Sequence, residues 1–163
     1  MDSGTGVERE FDVVVIGGGP VGENVADRVA QGGLSVTLVE ENLLGGECSF
    51  YACVPSKALL RPGSAVEAAL AVGGARQAVT GSVDAAAALA NRTRQVHGWD
   101  DGGQVAWAEG AKIDLVRGHG RLVGERRVAV DAARGSDGSG GPGITLRAHQ
   151  AVVVATGTRP LVP

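Results

Sequence analysis

The sequence predicts an α/β fold organised on a parallel sheet, and three observations carry that prediction. Phe11-Asp12-Val13-Val14-Val15-Ile16 and Leu34-Ser35-Val36-Thr37-Leu38-Val39 are short, β-branched, largely continuous apolar runs, as expected of strands buried on both faces. Between them a glycine cluster, Gly17 to Gly22, gives way to Val21, Val25, Ala26 and Val29 at helical spacing. A further run, Ala151-Val152-Val153-Val154-Ala155, returns near the end of the chain as another buried strand.

The elements follow in order. Residues 1–10 carry acids and no apolar core and read as a disordered tail. The strand over 11–16 leads through the glycine cluster into a helix ending near Gln31, where Gly32-Gly33 is a stop signal. The second strand, 34–39, ends in Glu40-Glu41, so two strands joined by a helix in about 30 residues make a parallel βαβ unit. A helix follows from Cys48 to about Leu60, interrupted or restarted near Pro55. Residues 64–72 and 83–97 are Ala-rich and helical, and a further short helix is expected over Asp101 to Gly110. Ile113 to Arg117 reads as a strand. Segments 120–124, 127–131 and 143–148 suggest a small antiparallel β excursion, with the Gly/Ser stretch Arg134 to Gly143 as a mobile loop tip.

Composition sets outer limits. The chain has 163 residues, the size of one ordinary domain, and is 44% hydrophobic, enough for a core. Its net charge of −3, with no basic run beyond Arg126-Arg127, gives no electrostatic support for a nucleic-acid partner. No apolar run reaches the roughly 18 residues of a membrane span, and the start of the chain has no signal-peptide character. The expected location is the cytoplasm. Two cysteines in a reducing compartment argue against a structural staple and leave catalysis, metal binding or simple packing open.

Gly17-Gly18-Gly19-Pro20-Val21-Gly22 fits G-x-G-x-x-G, with a different task for each glycine. Gly17 permits the tight turn out of the strand, Gly19 removes the Cβ that would block a pyrophosphate, and Gly22 lets the helix pack closely on the sheet. The helix N-terminus adds free N–H groups and a partial positive charge. Glu40, 18 residues after Gly22, ends the second strand where a carboxylate accepts from ribose hydroxyls. A lone motif of this kind is weak; here it follows a strand and opens a helix, so the unit reads as a Rossmann-like dinucleotide site.

Cys48 and Cys53 are spaced C-x4-C. In a regular helix, residues five apart lie about 8.6 Å apart at Cα, from the standard rise and radius, whereas a disulfide needs roughly 4.4–6.8 Å. The pair can bridge only where the first turn is distorted, and Gly45-Gly46 before it and Pro55 after it favour such a distortion. A strained, short-loop disulfide is readily reduced, and a thiolate is stabilised at a helix N-terminus. Lys57, one turn on, adds positive charge. Two buried free cysteines filling core space are an alternative. A metal site would need two further ligands, and His97, His119 and His149 are scattered singly.

The combination of Gly17-x-Gly19-x-x-Gly22, Glu40, Gly45-Gly46-x-Cys48-x4-Cys53-Val54-Pro55-Ser56-Lys57 and Ala155-Thr156-Gly157 resembles the class I pyridine nucleotide-disulfide oxidoreductases, which include dihydrolipoamide dehydrogenase, glutathione reductase and mercuric reductase. The resemblance covers Phe11 to Pro160. It implies an FAD-binding domain in which Gly17, Gly19, Pro20 and Gly22 hold the pyrophosphate with Gly46, and Glu40 and Glu41 lie at the adenosine ribose. It places His119 and Gly120, in Arg117-Gly118-His119-Gly120, at the adenine, and Ala155, Thr156 and Gly157 on the flavin side. It makes Cys53 the charge-transfer thiol, Cys48 the interchange thiol and Lys57 the residue that polarises the flavin, with electrons passing from NAD(P)H to FAD to the disulfide and on to a disulfide or small-molecule substrate.

Two segments depart from the family pattern: Glu47 stands where Thr is usual, and Ser49-Phe50-Tyr51-Ala52 fills the interval between the cysteines. The family continues into nicotinamide-binding and dimerisation domains that are absent here, so the sequence reads as the N-terminal part of an FAD-binding domain over 11–163, an incomplete domain, with a homodimer expected only for a full-length form. Two other readings stay open: a Rossmann module that binds FAD or NAD without thiol chemistry, and a flavin monooxygenase-like or amine oxidase-like protein sharing only the glycine loop.

Overall fold

The computed structural model describes residues 7–132, 143–158 and 161; the expected loop tip falls mainly on 134–142, outside the described residues. The chain divides into two compact units, Met1–Gly46 with Asp101–Pro163, and Glu47–Asp100.

The first unit is built on five strands: β1 (Glu8–Ile16), β2 (Val36–Glu40), β3 (Asp114–Gly124), β4 (Arg127–Ala132) and β5 (Ile144–Val154). β1 pairs in parallel with β2, Val13 opposite Val36 and Ile16 opposite Val39, with α1 (Pro20–Gln31) as the crossover. β5 runs parallel on the other side of β1, and β3 parallel beside β2. β4 is antiparallel to both β3 and β5, so the sheet closes on itself in the order β1-β2-β3-β4-β5.

The expected antiparallel excursion is present and is continuous with the parallel strands. Asp114 to Arg117 of β3 pair with β2, and Gly118 to Gly124 of the same strand pair with β4. Likewise residues 144–147 of β5 pair with β4, and the strand continues along β1 as far as Val154. Gly118, at φ +150°, lies at the change of partner; a Cβ there would meet the Asp131 carbonyl oxygen at 2.1 Å.

The period-2 alternation of β1 decides where the core sits. Val14 and Ile16 face a cluster with Phe11, Val39, Val116, Val128, Val130 and Leu146, while Val13 and Val15 face Ala26 of α1, Val36, Leu38, Leu44, Ile113 and Ala108 of α5 (Gly102–Gly110). Both faces of β1 are covered, as its continuous apolar run predicts.

Three expectations are corrected here. Of the tail expected over 1–10, residues 8–10 belong to β1, and residues 1–6 lie outside the described residues. Glu8 to Glu10 pair with Thr145 to Arg147, and Glu8 and Glu10 form ion pairs with Arg127 and Arg147. The β5 run 151–154 is only half covered, with Ala151 and Val154 exposed. Its pairing with β4 stops at Arg147, and from there to Val154 it pairs with β1 alone among the described strands. The helix break near the cysteines falls at Tyr51-Ala52, ahead of Pro55.

The second unit contains α2, which starts at Gly46 and ends at Phe50, then α3 (Cys53–Leu70) and α4 (Ala85–Gln95). Ala52 (φ −122°, ψ −88°) is non-helical and separates α2 from α3. Pro55 sits in the first turn of α3, where a missing N–H leaves no intrahelical bond unmade. α3 then runs unbroken through Pro62 and packs against α4, whose N-cap Asp84 accepts from the Ala87 N–H at 3.0 Å. Among the described residues no helix is long and apolar enough to cross a membrane.

Candidate functional site

The glycine loop is set by the ends of β1 and β2. The Gly17 N–H donates to the Val39 carbonyl at 2.8 Å, carrying the ladder one step past the strand. The chain then turns at φ +101°, a left-handed conformation that favours glycine. A Cβ on Gly17 would lie 2.4 Å from the Ala155 carbonyl oxygen, so Ala155 and Thr156 press directly on the loop. Gly19 is the N-cap of α1 and Pro20 its first residue, where proline sacrifices no bond. Gly22 meets the loop from inside the helix, its notional Cβ 1.8 Å from the Gly17 carbonyl oxygen. Gly46, at φ +61°, backs onto Gly19, with a notional Cβ 2.7 Å from the Gly19 Cα.

Gly19 differs from its neighbours. A Cβ there would find nothing nearer than the Gly46 Cα at 4.0 Å, so the protein itself does not require glycine at this position. What remains is the side facing away from the fold, in front of the free N–H groups of α1. That opening is what a pyrophosphate needs, and the loop fits the phosphate end of FAD.

Glu40 ties the loop to the second strand. One carboxylate oxygen accepts from the Gly18 N–H and the other from the Asn42 N–H, both at 2.7 Å. Each oxygen keeps a second acceptor direction for a ribose hydroxyl. Glu41 is exposed and pairs with His119 Nδ1 at 3.0 Å, which brings two sequence-predicted residues together on the β2 and β3 ends. Gly120 is not open in the same way: a Cβ there would sit 3.0 Å from Val39 and 3.1 Å from Ile16, so its smallness serves the core. Gly157 is exposed at φ +69° with open space around it.

Sequence reasoning missed two features of this unit. Asp101 accepts from the Leu44 N–H at 2.7 Å and from Arg117 at 2.5 Å, and Arg117 also donates to the Asn42 carbonyl. These bonds hold residues 42–44, the loop that follows Glu40. No local signal marks them, since Asp101 and Leu44 are 57 residues apart. Glu23, in the first turn of α1, is the second. One of its oxygens is buried without a hydrogen-bond partner, and burial, then the charge of Glu40, raise its carboxyl above the ordinary range.

Cys48, Cys53 and Lys57 all lie in the second unit, on α2 and α3. Both cysteines are free thiols, Cys48 half-buried and Cys53 exposed. The break at Tyr51-Ala52 removes the geometric obstacle of a regular helix. The neighbouring Cys53 side chain, then burial, push the Cys48 thiol up, against the pull of Lys57. Cys53 heads α3, where the unpaired N–H groups of the first turn favour negative charge. Glu47 is exposed, and its carbonyl accepts from the Tyr51 and Ala52 N–H groups at 2.8 and 2.6 Å, which closes the tight turn between the cysteines.

Comparison with known proteins agrees with this arrangement. The family model for pyridine nucleotide-disulphide oxidoreductases matches residues 11–163. A dihydrolipoyl dehydrogenase of Pseudomonas putida is 36% identical over 155 residues, covering 93% of this chain and 32% of its own. A leghemoglobin reductase of Glycine max is 32% identical over 167 residues, covering 91% of this chain and 28% of its own. The fold is that of the copper(II) complex of an HOCl-induced flavoprotein disulfide reductase from Escherichia coli, at a TM-score of 0.72 and 20% identity over 95% of this chain and 30% of that one. The chain thus spans about a third of the length of these proteins. With the family match running through the glycine loop, Glu40, the cysteine pair and Ala155-Thr156-Gly157, the chain belongs to the pyridine nucleotide-disulphide oxidoreductase family.

Proposed function

We propose that this chain is the FAD-binding segment of a flavin-dependent disulfide oxidoreductase, in which electrons from NAD(P)H pass by way of FAD to the Cys48–Cys53 pair. The observation that carries the reading is the placement of the two cysteines on either side of a helix break, Cys48 in α2 and Cys53 at the head of α3, within a chain whose glycine loop leaves Gly19 open on its outer side. When bound, FAD supplies the two-electron acceptor that thiols alone lack. Gly17, Gly19, Pro20, Gly22 and Gly46 shape the pyrophosphate site, with Glu40 at the ribose. Glu41 lies with Glu40 at the ribose, His119 and Gly120 toward the adenine, and Ala155, Thr156 and Gly157 toward the flavin. In the pair, reduction breaks one S–S bond and delivers two electrons and two protons to give two thiols. Cys48 is the thiol that exchanges with substrate, Cys53 its partner, and Lys57 the cation that offsets charge on the pair. A small-molecule or disulfide substrate, a cytoplasmic setting and a homodimer of the full-length form belong to the same reading.

Thiol counting tests it. The oxidised full chain should gain two thiols on mild reduction, and Cys48→Ser or Cys53→Ser should gain none. Titration with FAD should show saturable binding that Gly19→Ala weakens. A chain that binds FAD but gains no thiols would be a binding module without thiol chemistry.

A further inference from the structure

Between the two cysteines the chain carries Phe50, the last residue of α2, two positions after Cys48 and three before Cys53. Phe50 is fully buried at 1% exposure. Its carbonyl is one of the groups that a helix end leaves without an intrahelical donor, and it accepts from the indole N–H of Trp99 at 3.2 Å. Both residues lie in the second unit, 49 positions apart.

Trp99 is delivered by an unusual turn. His97, Gly98 and Trp99 have φ of +51°, +64° and +63°, three successive left-handed residues of which two carry side chains. L residues disfavour this conformation, and it persists only where the surroundings dictate it. Here they do. Val96, which precedes the turn, is 1% exposed, and the Trp99 N–H donates back to the Val96 carbonyl at 2.8 Å. The Arg92 guanidinium lies over the Trp99 ring, 5.1 Å from its centroid, with its Nε buried and unbonded, so a cation–π contact holds the indole from the other side.

We propose that Trp99 is a positioning residue for the Cys48–Cys53 pair: anchored by Arg92 and the left-handed turn, it fixes the Phe50 carbonyl and so holds the loop 49–52 in the shape that keeps the two thiols together. This rests on the reading of the pair as redox-active. It bears on a departure noted in the sequence, since the Ser49-Phe50-Tyr51-Ala52 filler places a buried aromatic residue at the carbonyl that the Trp99 indole reaches. Forming the disulfide takes two electrons and two protons from the pair, accepted in exchange by another disulfide whose S–S bond breaks, and brings the two sulfurs to bonding distance. A loop already held near that shape closes more readily than one free to sample others.

The test equilibrates the full chain with mixtures of reduced dithiothreitol and its cyclic disulfide. In this exchange the Cys48–Cys53 S–S bond forms as the S–S bond of the cyclic disulfide breaks, and the two thiol hydrogens pass to dithiothreitol. Quenching with a thiol alkylator and counting free thiols gives the equilibrium constant. Trp99→Phe keeps the ring and removes the N–H. It should lower that constant about tenfold, equivalent to about 30 mV toward easier reduction for a two-electron couple. Trp107→Phe, the same change in α5, should leave it unaltered. A folded Trp99→Phe chain with an unchanged constant, or one that oxidises more readily, overturns the proposal. Should Trp99→Phe fail to fold, Arg92→Met removes the cation while leaving the indole. It should shift the constant about threefold in the same direction, and no shift overturns the proposal equally. Failure of the underlying redox reading looks different: wild-type chain would then show no thiol difference between the two ends of the buffer series.

Discussion

Gly19→Ala and Gly22→Ala should separate the two jobs that glycines perform in this loop. At Gly22 the added Cβ would lie 1.8 Å from the Gly17 carbonyl oxygen and 3.0 Å from its carbon, both backbone atoms at the end of β1. Neither can rotate away, so the helix must move outward from the sheet by more than 1 Å, on the order of the overlap between 1.8 Å and an ordinary C···O contact of roughly 3.2 Å. Overpacking against backbone costs about 3 kcal/mol, at the upper end of what inserted methyl groups cost. That is a loss of roughly 6–12 °C in Tm for a chain of this size. At Gly19 the same Cβ meets nothing within 4.0 Å and the backbone is at φ −79°, which any residue adopts. Gly19→Ala should fold with Tm within about 2 °C of wild type, or slightly higher through the less flexible unfolded chain. Its affinity for FAD should nevertheless fall by about tenfold or more, because the methyl group occupies the approach to the pyrophosphate. Thermal melts followed by circular dichroism and FAD titration read by flavin fluorescence measure the two effects side by side. A Gly22→Ala chain as stable as wild type would refute the steric argument. A Gly19→Ala chain that binds FAD as wild type does would refute the assignment of the outer face to the cofactor.

Other perturbations follow from the charges around the loop. The raised carboxyl of Glu23 contributes stability that is complete below its ordinary value of 4.5 and is lost as pH rises through its higher folded value. Glu23→Gln should therefore raise Tm near neutrality by roughly 2–4 °C, for about 1 kcal/mol, and have no effect in acid; an equal shift at both ends of the pH range would rule this out. Arg117→Met, which strips the half-buried Asp101 of its cation, should cost about 2 kcal/mol in urea unfolding. Arg121→Met, at an exposed pair with Asp131, should change stability by less than about 0.5 kcal/mol. Two bonds from Ser35, first through its hydroxyl and then through its N–H, hold the Asp12 carboxyl below its ordinary range, so their contribution is present above that range and lost as pH falls through it. Ser35→Ala should lower Tm at neutral pH, with a deficit that shrinks in acid.

The βαβ unit was legible because its signals are local and repeat every two or 3.6 residues. The observed β1, α1 and β2 begin and end within three residues of the sequence reading. The glycine loop and Glu40 were legible for the same reason, each being defined by residues close in sequence. What stayed hidden depends on distant partners. Glu8 to Glu10 look like a charged tail until Arg127 and Arg147, more than a hundred residues away, appear beside them. β3 changes partner along its length and β5 loses β4 partway while keeping β1, and no periodicity announces that. The Asp101–Arg117 clamp and the Trp99–Phe50 bond are likewise contacts between segments with no shared motif. The sequence places an interruption or restart near Pro55 and a distortion favoured by Gly45-Gly46 and Pro55; the break lies at Tyr51-Ala52, with α3 restarting at Cys53. It arises earlier because two N–H groups converge on the Glu47 carbonyl and end α2 there, which leaves Pro55 to start the next helix.

The two chemistries of the chain answer to different determinants. The glycine loop is held by backbone contacts among Gly17, Gly22, Gly46 and Ala155 and by the Glu40 carboxylate, all in the first unit, and its fitness for a dinucleotide follows from what has been left out at Gly19. On the proposed reading, the thiol pair is governed inside the second unit, by the break between α2 and α3 and by the indole that reaches the Phe50 carbonyl, so the Ser49-Phe50-Tyr51-Ala52 filler between the cysteines is where its redox balance is tuned.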